Sequence, residues 1–345
     1  ACMYVKGMDA AATVKSLGLA CAGERAVLEQ PRRALLISRT PKRPEPGTPW
    51  VRAVAEATRA SAAAGETLVL GAGRTPFDAA LAVLKRAGGA ALVVLEAAPD
   101  AAWRAEYAAL LPEQHLLVWP ERKDVEKQSV ENGSRQSRDR EGAVPARDVL
   151  LGKLADCAWA IYMRKGGNTA AVAEALAAKG GGVDFRFAIS DFRLERPDTQ
   201  PIVLCAATPV NQSWNFLTHY TREPDGGWPD ETRAAYAEWL AFGKPEEQRD
   251  ACAALRRILS MQRILGSGRL MPAREPMVSF TACPPWELGE LMRWRRGLAR
   301  WTFRTYGLAV RREALQALGA RAVRYAAEAE LKELSREERR FAQKH

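Results

Sequence analysis

Three loops that combine small residues with cations have the clearest capacity for chemistry in this sequence. Glycine lets a backbone approach a phosphate group closely, and Arg or Lys side chains neutralise the charge of that phosphate. A loop that opens a helix adds unpaired N–H groups at the positive end of the helix dipole. The residues predicted to bind phosphate are Ser38, Arg39, Gly71, Gly73, Arg74, Arg147, Lys165, Gly166, Gly167, Asn168 and Thr169.

Strands and helices must alternate along the chain to position these loops. Short apolar runs predict strands at residues 34–38, 67–70, 91–95, 115–119 and 158–163. Amphipathic segments predict helices at residues 50–64, 77–87, 101–111, 148–155 and 170–179. This βαβ spacing predicts an α/β fold with a Rossmann-like, mainly parallel sheet, whose ligands collect beyond the carboxyl ends of the strands. All three loops have that position.

With 345 residues the chain is longer than a usual single domain, which predicts two domains. The polar stretch at residues 121–146 predicts a long loop, and glycines and prolines at residues 180–200 predict a domain boundary. We therefore expect an N-terminal segment over residues 1–30 and a Rossmann-like domain over residues 31–185. A smaller α+β domain is expected over residues 200–345.

Charge and composition narrow the class of partner. The chain has 51 Lys and Arg against 41 Asp and Glu, a net charge of +10, which favours phosphate-rich partners. Its six cysteines show no CxxC spacing and do not cluster with the three histidines, so we expect no metal site and no disulfide framework. Apolar runs are shorter than a membrane span, and residues 1–22 lack a signal-peptide core, so we expect a cytoplasmic protein without a membrane partner.

A polar and aromatic string in the C-terminal half suggests a second site. His219 and Tyr220 precede a strand-like segment that contains Ser279 and Thr281. Such a string beside an apolar strand favours a concave site over core packing alone. The predicted catalytic residues are His219, Tyr220 and Ser279.

Seven arginines occur between residues 291 and 312, with Trp294, Trp301 and Tyr306 among them and no acidic residue. Arginines for the phosphate backbone and rings for base stacking are typical of grooves that bind single-stranded nucleic acid. The alternative is an ordinary basic face whose aromatic rings belong to the core. The residues predicted to contact nucleic acid are Arg293, Arg295, Arg296 and Arg300.

The phosphate-binding loops resemble a known family. Residues 38–39, 71–78, 147–148 and 166–170 are similar, in that order, to the GSR, SGxAxGID, RN and SGSxxTA elements of the DNA-processing protein A (DprA/Smf) group and the wider SMF/LOG (SLOG) superfamily. This resemblance implies a DprA-type Rossmann domain that binds single-stranded DNA or RNA or a small nucleotide, with a role in DNA processing or phage defence. The PGGxGTxxE signature of the superfamily's phosphoribohydrolases is absent, so we do not expect that hydrolysis.

The C-terminal half resembles uncharacterised abortive-infection-type proteins with an ADP-ribosyltransferase-like split sheet, through residues 219–221, 279–281 and 306–310. The resemblance implies that His219 holds a ribose, and it places Arg304 where a glutamate is expected, with Glu231 and Glu287 as other carboxylates. An NAD-consuming or ADP-ribosyl-transferring effector with a nucleotide-sensing domain is therefore the alternative to a binding protein. A scaffold with vestigial pockets is a third. The sequence leaves open whether the chain is an enzyme, which nucleotide it holds and whether it forms an oligomer.

Overall fold

The computed structural model describes residues 14–38, 44–121, 145–190, 213–244, 246–247, 249–266, 275–295 and 300–344. Most of the loop predicted at residues 121–146 lies outside these ranges. The chain divides into two compact units. The first comprises residues 1–194 and 232–246, and the second comprises residues 195–231 and 247–345.

The first unit is built on a seven-stranded sheet with the strand order β1-β5-β4-β3-β2-β6-β7. The strands are β1 (Leu19–Gly23), β2 (Arg32–Ile37), β3 (Thr67–Gly71), β4 (Ala90–Val94), β5 (His115–Pro120), β6 (Cys157–Tyr162) and β7 (Val183–Asp184). Strands β2 to β7 are parallel, and β1 runs antiparallel to β5 at one edge. The central strands β2, β3 and β4 are buried along their whole length, as expected when helices cover both faces of a parallel sheet.

Helices connect the parallel strands. They are α1 (Pro49–Ala63), α2 (Thr75–Ala87), α3 (Ala101–Tyr107), α4 (Ala146–Leu154) and α5 (Asn168–Ala178). A further helix, α6 (Arg233–Phe242), occurs later in the chain. Helix α1 packs against α2, and α4 packs against α5. The connections from β2 through β3 to β4 run in one direction along the sheet, and those from β5 through β6 to β7 run in the other. Because both sets of crossovers are right-handed, the α1–α2 pair and the α4–α5 pair cover opposite faces of the sheet. The predicted alternation of strands and helices and the mainly parallel α/β sheet are confirmed.

Two elements of the first unit come from outside the range of residues 31–185 that the sequence predicts for it. Strand β1 belongs to the predicted N-terminal segment, and it covers the edge of β5, whose backbone groups would otherwise be unpaired. Helix α6 belongs to the predicted C-terminal domain, but it packs on α1, α2 and α3 and buries Ala234, Ala237 and Leu240. The apolar face of a helix does not reveal from sequence which domain it covers.

The second unit contains short strands and helices. Strand β8 (Phe216–Tyr220) pairs with β11 (Gly307–Arg311), and β9 (Trp294–Arg295) pairs with β10 (Arg300–Trp301). The remaining elements are α7 (Ala251–Met261), α8 (Leu288–Leu291), α9 (Arg312–Ala317), β12 (Arg324–Ala326), α10 (Glu328–Glu333), α11 (Arg336–Arg340) and β13 (Ala342–Lys344). The predicted strand-like segment that contains Ser279 and Thr281 joins β8 through an isolated bridge between Thr218 and Thr281. Among the described residues of either unit, no helix has the length and apolar character to cross a membrane.

Candidate functional site

The carboxyl ends of β2 and β6 form the centre of the candidate site. These strands are neighbours, but the chain leaves β2 through α1 toward β3 and leaves β6 through α5 toward β7. The two connections turn away from each other, which opens a crevice above the strand ends. Open parallel sheets bind their ligands in such crevices.

Ser38, the residue directly after β2, joins the ends of the two strands. Its N–H donates to the Tyr162 carbonyl oxygen at 2.8 Å, and its Oγ accepts from the Arg164 N–H at 3.0 Å. The same Oγ lies 2.8 Å from Oγ1 of Thr169, in the first turn of α5. Two predicted residues from loops 131 positions apart therefore place their hydroxyls together at the start of this helix.

The first turn of α5 suits an anion. Its N-cap is Gly167, which has no side chain to accept hydrogen bonds from the first-turn N–H groups. Gly166 has a φ of 68°, in the left-handed region that favours glycine. The uncapped N–H groups and the positive end of the helix dipole coincide with the two hydroxyls.

Arg147, near the start of α4, lies across the carboxyl end of β3. Its side chain is only 10% exposed, and its Nη1 donates to the Ala72 carbonyl oxygen at 3.1 Å and lies 3.2 Å from a carboxylate oxygen of Glu96. This position requires glycine at residue 71, because a Cβ there would lie 2.6 Å from Cδ of Arg147. Gly71 therefore makes room for a cation at the carboxyl end of β3.

Asp148 links the loops. Its side chain is 5% exposed, and its oxygens lie 3.5 Å from Nε of Arg147 and 3.8 Å from a guanidinium nitrogen of Arg74. The Asn168 side-chain amide donates to the same carboxylate at 3.5 Å. The loop after β3, the start of α4 and the start of α5 thus converge on one buried carboxylate, at distances long enough for the cations to turn toward a ligand.

The structure places most of the predicted phosphate-binding residues at this edge. Lys165 is exposed in the turn between β6 and α5. Arg39 lies outside the described residues. Asp148 was recognised in sequence only as part of the family resemblance, and its role as the meeting point of the loops depends on the fold.

A second group of residues supports the loop between β3 and α2, and no local pattern in the sequence links its four members. Gly73, with a φ of 85°, donates its N–H to the Tyr107 hydroxyl oxygen at 3.0 Å. The Tyr107 hydroxyl donates to Oδ1 of Asp78 at 3.2 Å. Arg233 of α6 donates from Nη1 to Oδ2 of Asp78 at 2.7 Å and from Nε to Glu106 at 2.8 Å. We call Gly73, Tyr107, Asp78 and Arg233 the loop-support chain.

In the second unit, His219 contacts the main chain at Ser279. The imidazole Nδ1 donates to the main-chain carbonyl oxygen of Ser279 at 2.9 Å, and the ring lies 5.7 Å from that of Phe280. Tyr220 stacks on Phe303 with 5.1 Å between ring centroids, and burial raises the pKa of its hydroxyl. The contact between His219 and residue 279 therefore involves the backbone rather than the serine hydroxyl.

The carboxylates considered for this unit have partners of their own. Arg304, which stands where a glutamate is expected, donates from Nε to Glu223 at 2.7 Å. Glu231 accepts from Nη2 of Arg249 at 2.8 Å. Oε2 of Glu287 lies 4.0 Å from the Cys283 sulfur. A catalytic role of His219, Tyr220 and Ser279 stays a prediction.

The basic run at residues 291–312 includes a short hairpin formed by β9 and β10. Arg295 is opposite Arg300 in the register, and Trp294 is opposite Trp301. The two indole rings meet edge to face, with 5.8 Å between centroids. Because neighbouring residues of a strand point to opposite faces, Trp294 lies on the face away from Arg295. The aromatic rings and the arginines that alternate in the sequence are thereby separated.

The arginine face of this hairpin is accessible. Arg293 and Arg295 are exposed, and within the described part of the chain neither guanidinium has an ion-pair partner. Arg296 and the side chain of Arg300 lie outside what the structure describes. The geometry fits contact with phosphates better than simultaneous stacking of bases and binding of phosphates on one face.

No group of three or more His, Cys, Asp or Glu side chains in the described ranges is arranged to hold a metal ion. No family model matches the sequence, and no curated protein matches it. Among solved structures, this chain is similar in fold to DNA processing protein A (DprA) from Streptococcus pneumoniae, at 17% identity and a TM-score of 0.36. The match covers 51% of this chain and 56% of that protein, so the chain spans little more than half the length of its structural neighbour.

Proposed function

We propose that the first unit binds a phosphate-bearing nucleotide, either free or as part of a nucleic-acid strand, in the crevice above β2 and β6. The observation that carries this proposal is the convergence of three loops on Asp148 beside the uncapped first turn of α5. A structural role alone does not require an uncapped helix start, two hydroxyls and two arginines at the same edge of the sheet.

Each group has a role in this proposal. The backbone N–H groups after Gly167 and the hydroxyls of Ser38 and Thr169 bind the phosphate oxygens. Arg74, whose side chain is 36% exposed, turns from Asp148 toward the phosphate and supplies charge. Arg147 is more buried and supplies its charge to the phosphate from a fixed position at the end of β3.

The proposal is tested by binding of three probes to the full chain. These are inorganic phosphate, a nucleoside monophosphate and a short single-stranded DNA oligonucleotide, each followed by calorimetry. Tighter binding of the monophosphate than of phosphate would identify a nucleotide site, and tighter binding of the oligonucleotide would identify a strand. A lack of saturable binding by all three would contradict the proposal.

Gly71→Ala should weaken ligand binding without unfolding the first unit. The new Cβ would lie 2.6 Å from Cδ and 3.0 Å from Nε of Arg147, so the arginine must leave its place at the sheet edge. Loss of one charge-assisted contact of about 1.5–3 kcal/mol corresponds to roughly a 10- to 100-fold rise in Kd. Gly226→Ala is the matched control, because a Cβ there meets nothing within 4 Å. Equal affinities of the two variants would argue against a role for Arg147.

We further propose that the hairpin formed by β9 and β10 contacts the phosphate backbone of single-stranded nucleic acid. Its support is the pair of exposed arginines, together with arginine opposite arginine in the ladder, an arrangement that like-charge repulsion disfavours unless an anion is present. Roles in DNA processing and in phage defence stay predictions from the sequence resemblance, as does consumption of NAD.

Reversing Arg293 and Arg295 to glutamate should weaken oligonucleotide binding and flatten its dependence on salt. Each phosphate contact to a single strand contributes a slope of about 0.7 in log K against log salt, so loss of two contacts should lower the slope by roughly 1.4. The control reverses Arg321 and Arg336, which are 61% and 93% exposed, and changes the net charge equally. An identical loss of slope in both variants would mean that net charge, not the hairpin, controls binding.

A further inference from the structure

The loop-support chain has a fixed direction of hydrogen bonding. The Gly73 N–H can only donate, so the Tyr107 oxygen accepts from it at 3.0 Å. The single hydroxyl proton of Tyr107 is then directed to Asp78, at 3.2 Å. This arrangement is favoured when Asp78 is an ionised carboxylate, because a carboxylate accepts hydrogen bonds and donates none.

Arg233 keeps Asp78 in that state. Burial raises the pKa of Asp78, whose side chain is 8% exposed, while the charge and hydrogen bond of Arg233 lower it. Burial and the charge of Asp78 raise the pKa of Tyr107, so the phenol keeps its proton. Glu106 opposes Arg233 by raising the pKa of Asp78, but it also anchors the guanidinium through Nε at 2.8 Å.

Packing holds the middle of the loop-support chain rigidly. Trp103 stacks on Tyr107 with 4.2 Å between centroids, and the Arg233 guanidinium lies 4.9 Å from the same ring. Gly73 has a left-handed φ of 85°, and Asp78 lies in the first turn of α2. The loop-support chain therefore fixes the backbone at the point where the β3–α2 loop turns toward Arg74.

We propose that Arg233 is a positioning residue for the β3–α2 loop, acting through Asp78 and Tyr107 on the Gly73 N–H, and that it sets the loop conformation in which Arg74 meets the phosphate ligand. This inference rests on the proposed function of the same edge. Among the described residues, Arg233 has no hydrogen bond or ion pair with a member of the phosphate-binding group, so it acts at a distance from the ligand. It enters the first unit only when the chain returns at residue 232.

Amide hydrogen exchange of the ligand-free chain, read at Gly73 by NMR, tests the positioning. Tyr107→Phe removes the acceptor, so the Gly73 amide should exchange at least about 10-fold faster while the amides in the middle of α2 and α3 keep their protection. Arg233→Met should also accelerate Gly73, in addition to the faster exchange that its lower global stability causes across the unit, and Arg233→Lys should restore part of the protection. The control is Glu238→Gln, which removes the exposed ion pair between Glu238 of α6 and Arg86 of α2 and leaves the loop-support chain intact.

Two results would overturn the positioning role. One is unchanged exchange at Gly73 in both Tyr107→Phe and Arg233→Met. The other is uniform acceleration across α2 and α3 in Tyr107→Phe, the variant that keeps the Arg233–Asp78 ion pair, which indicates a merely structural contact. The affinity of Tyr107→Phe for a nucleoside monophosphate then separates the two proposals. Local acceleration with a Kd raised at least 5-fold supports both, whereas an absence of binding by the wild type refutes the proposed function and leaves the exchange result to decide the positioning.

Discussion

Arg233→Met should lower the free energy of unfolding by about 2–4 kcal/mol at neutral pH, measured by denaturant titration. Removing one partner of a buried ion pair costs about 3–5 kcal/mol, because the other charge stays buried and unpaired. We reduce this range because the Arg233 side chain is 29% exposed. Glu238→Gln, on the same helix, removes a pair whose side chains are 59% and 45% exposed and should cost less than about 1 kcal/mol.

The destabilisation by Arg233→Met should depend on pH in a defined direction. The folded-state pKa of Asp78 lies above its ordinary value of 3.8, so the folded chain binds the proton more tightly and loses stability as the pH rises from 3.8 through the folded pKa. Arg233 lowers this pKa, so in the variant without it the pH range over which stability is lost extends to higher pH. The two proteins should therefore be closest in stability near pH 4 and differ fully above the Asp78 pKa of the variant.

A second substitution shows whether the unpaired carboxylate is the cause. Asp78→Asn in the Arg233→Met background removes the buried charge, so the double variant should be more stable than Arg233→Met alone. If it is less stable, and if the loss in Arg233→Met is the same at every pH, the destabilisation arises from lost packing of α6.

Arg74→Met combined with Arg147→Met should raise the Kd for the nucleotide ligand by about 100-fold or more. Each charge-assisted contact contributes about 1.5–3 kcal/mol, and about 1.4 kcal/mol corresponds to a factor of 10 in Kd. Arg74 alone should account for the larger part, because its side chain is 36% exposed and free to turn, whereas that of Arg147 is 10% exposed. Calorimetric titration of each single variant and of the double variant measures this partition.

Stability must be followed in the same variants. Asp148 is 5% exposed and loses both neighbouring cations in the double variant, so some destabilisation is expected. Adding Asp148→Asn removes that buried charge and should restore stability without restoring affinity. Recovery of affinity together with stability would show that the arginines only hold the fold.

The sheet and the loops at its edge were predictable because they follow from local patterns. Apolar runs bounded by glycine and proline identified β2 to β6, and Ser38, Arg74 and Asn168 follow from the rule that ligands collect at the carboxyl ends of parallel strands. Strand β1 could not be predicted, because a short apolar run at the edge of a sheet has no pattern that identifies it as a strand or indicates which strand it pairs with. The meeting of Ser38 with Thr169 needed the β2–β6 pairing, which no local pattern encodes.

Long-range pairings explain what the sequence could not reveal. Asp78 and Arg233 are 155 residues apart, and Arg233 returns to the first unit only after the chain has passed through the second. In the second unit, the sequence places arginine and tryptophan side by side at residues 293–295, but the period of two in a strand sends them to opposite faces. The ion pair between Arg304 and Glu223 could likewise be recognised only in the structure.

Backbone amide shifts of the full chain, recorded by NMR during titration with a nucleoside monophosphate, test the central claim most directly. Phosphate bound at α5 should produce saturable shifts at Gly167, Asn168 and Thr169. The N–H groups at the starts of α6 and α7 should not respond, because Thr232 and Asp250 already cap them. No saturable shift at residues 167–169, or shifts centred at another edge of the sheet, would contradict a phosphate site above β2 and β6.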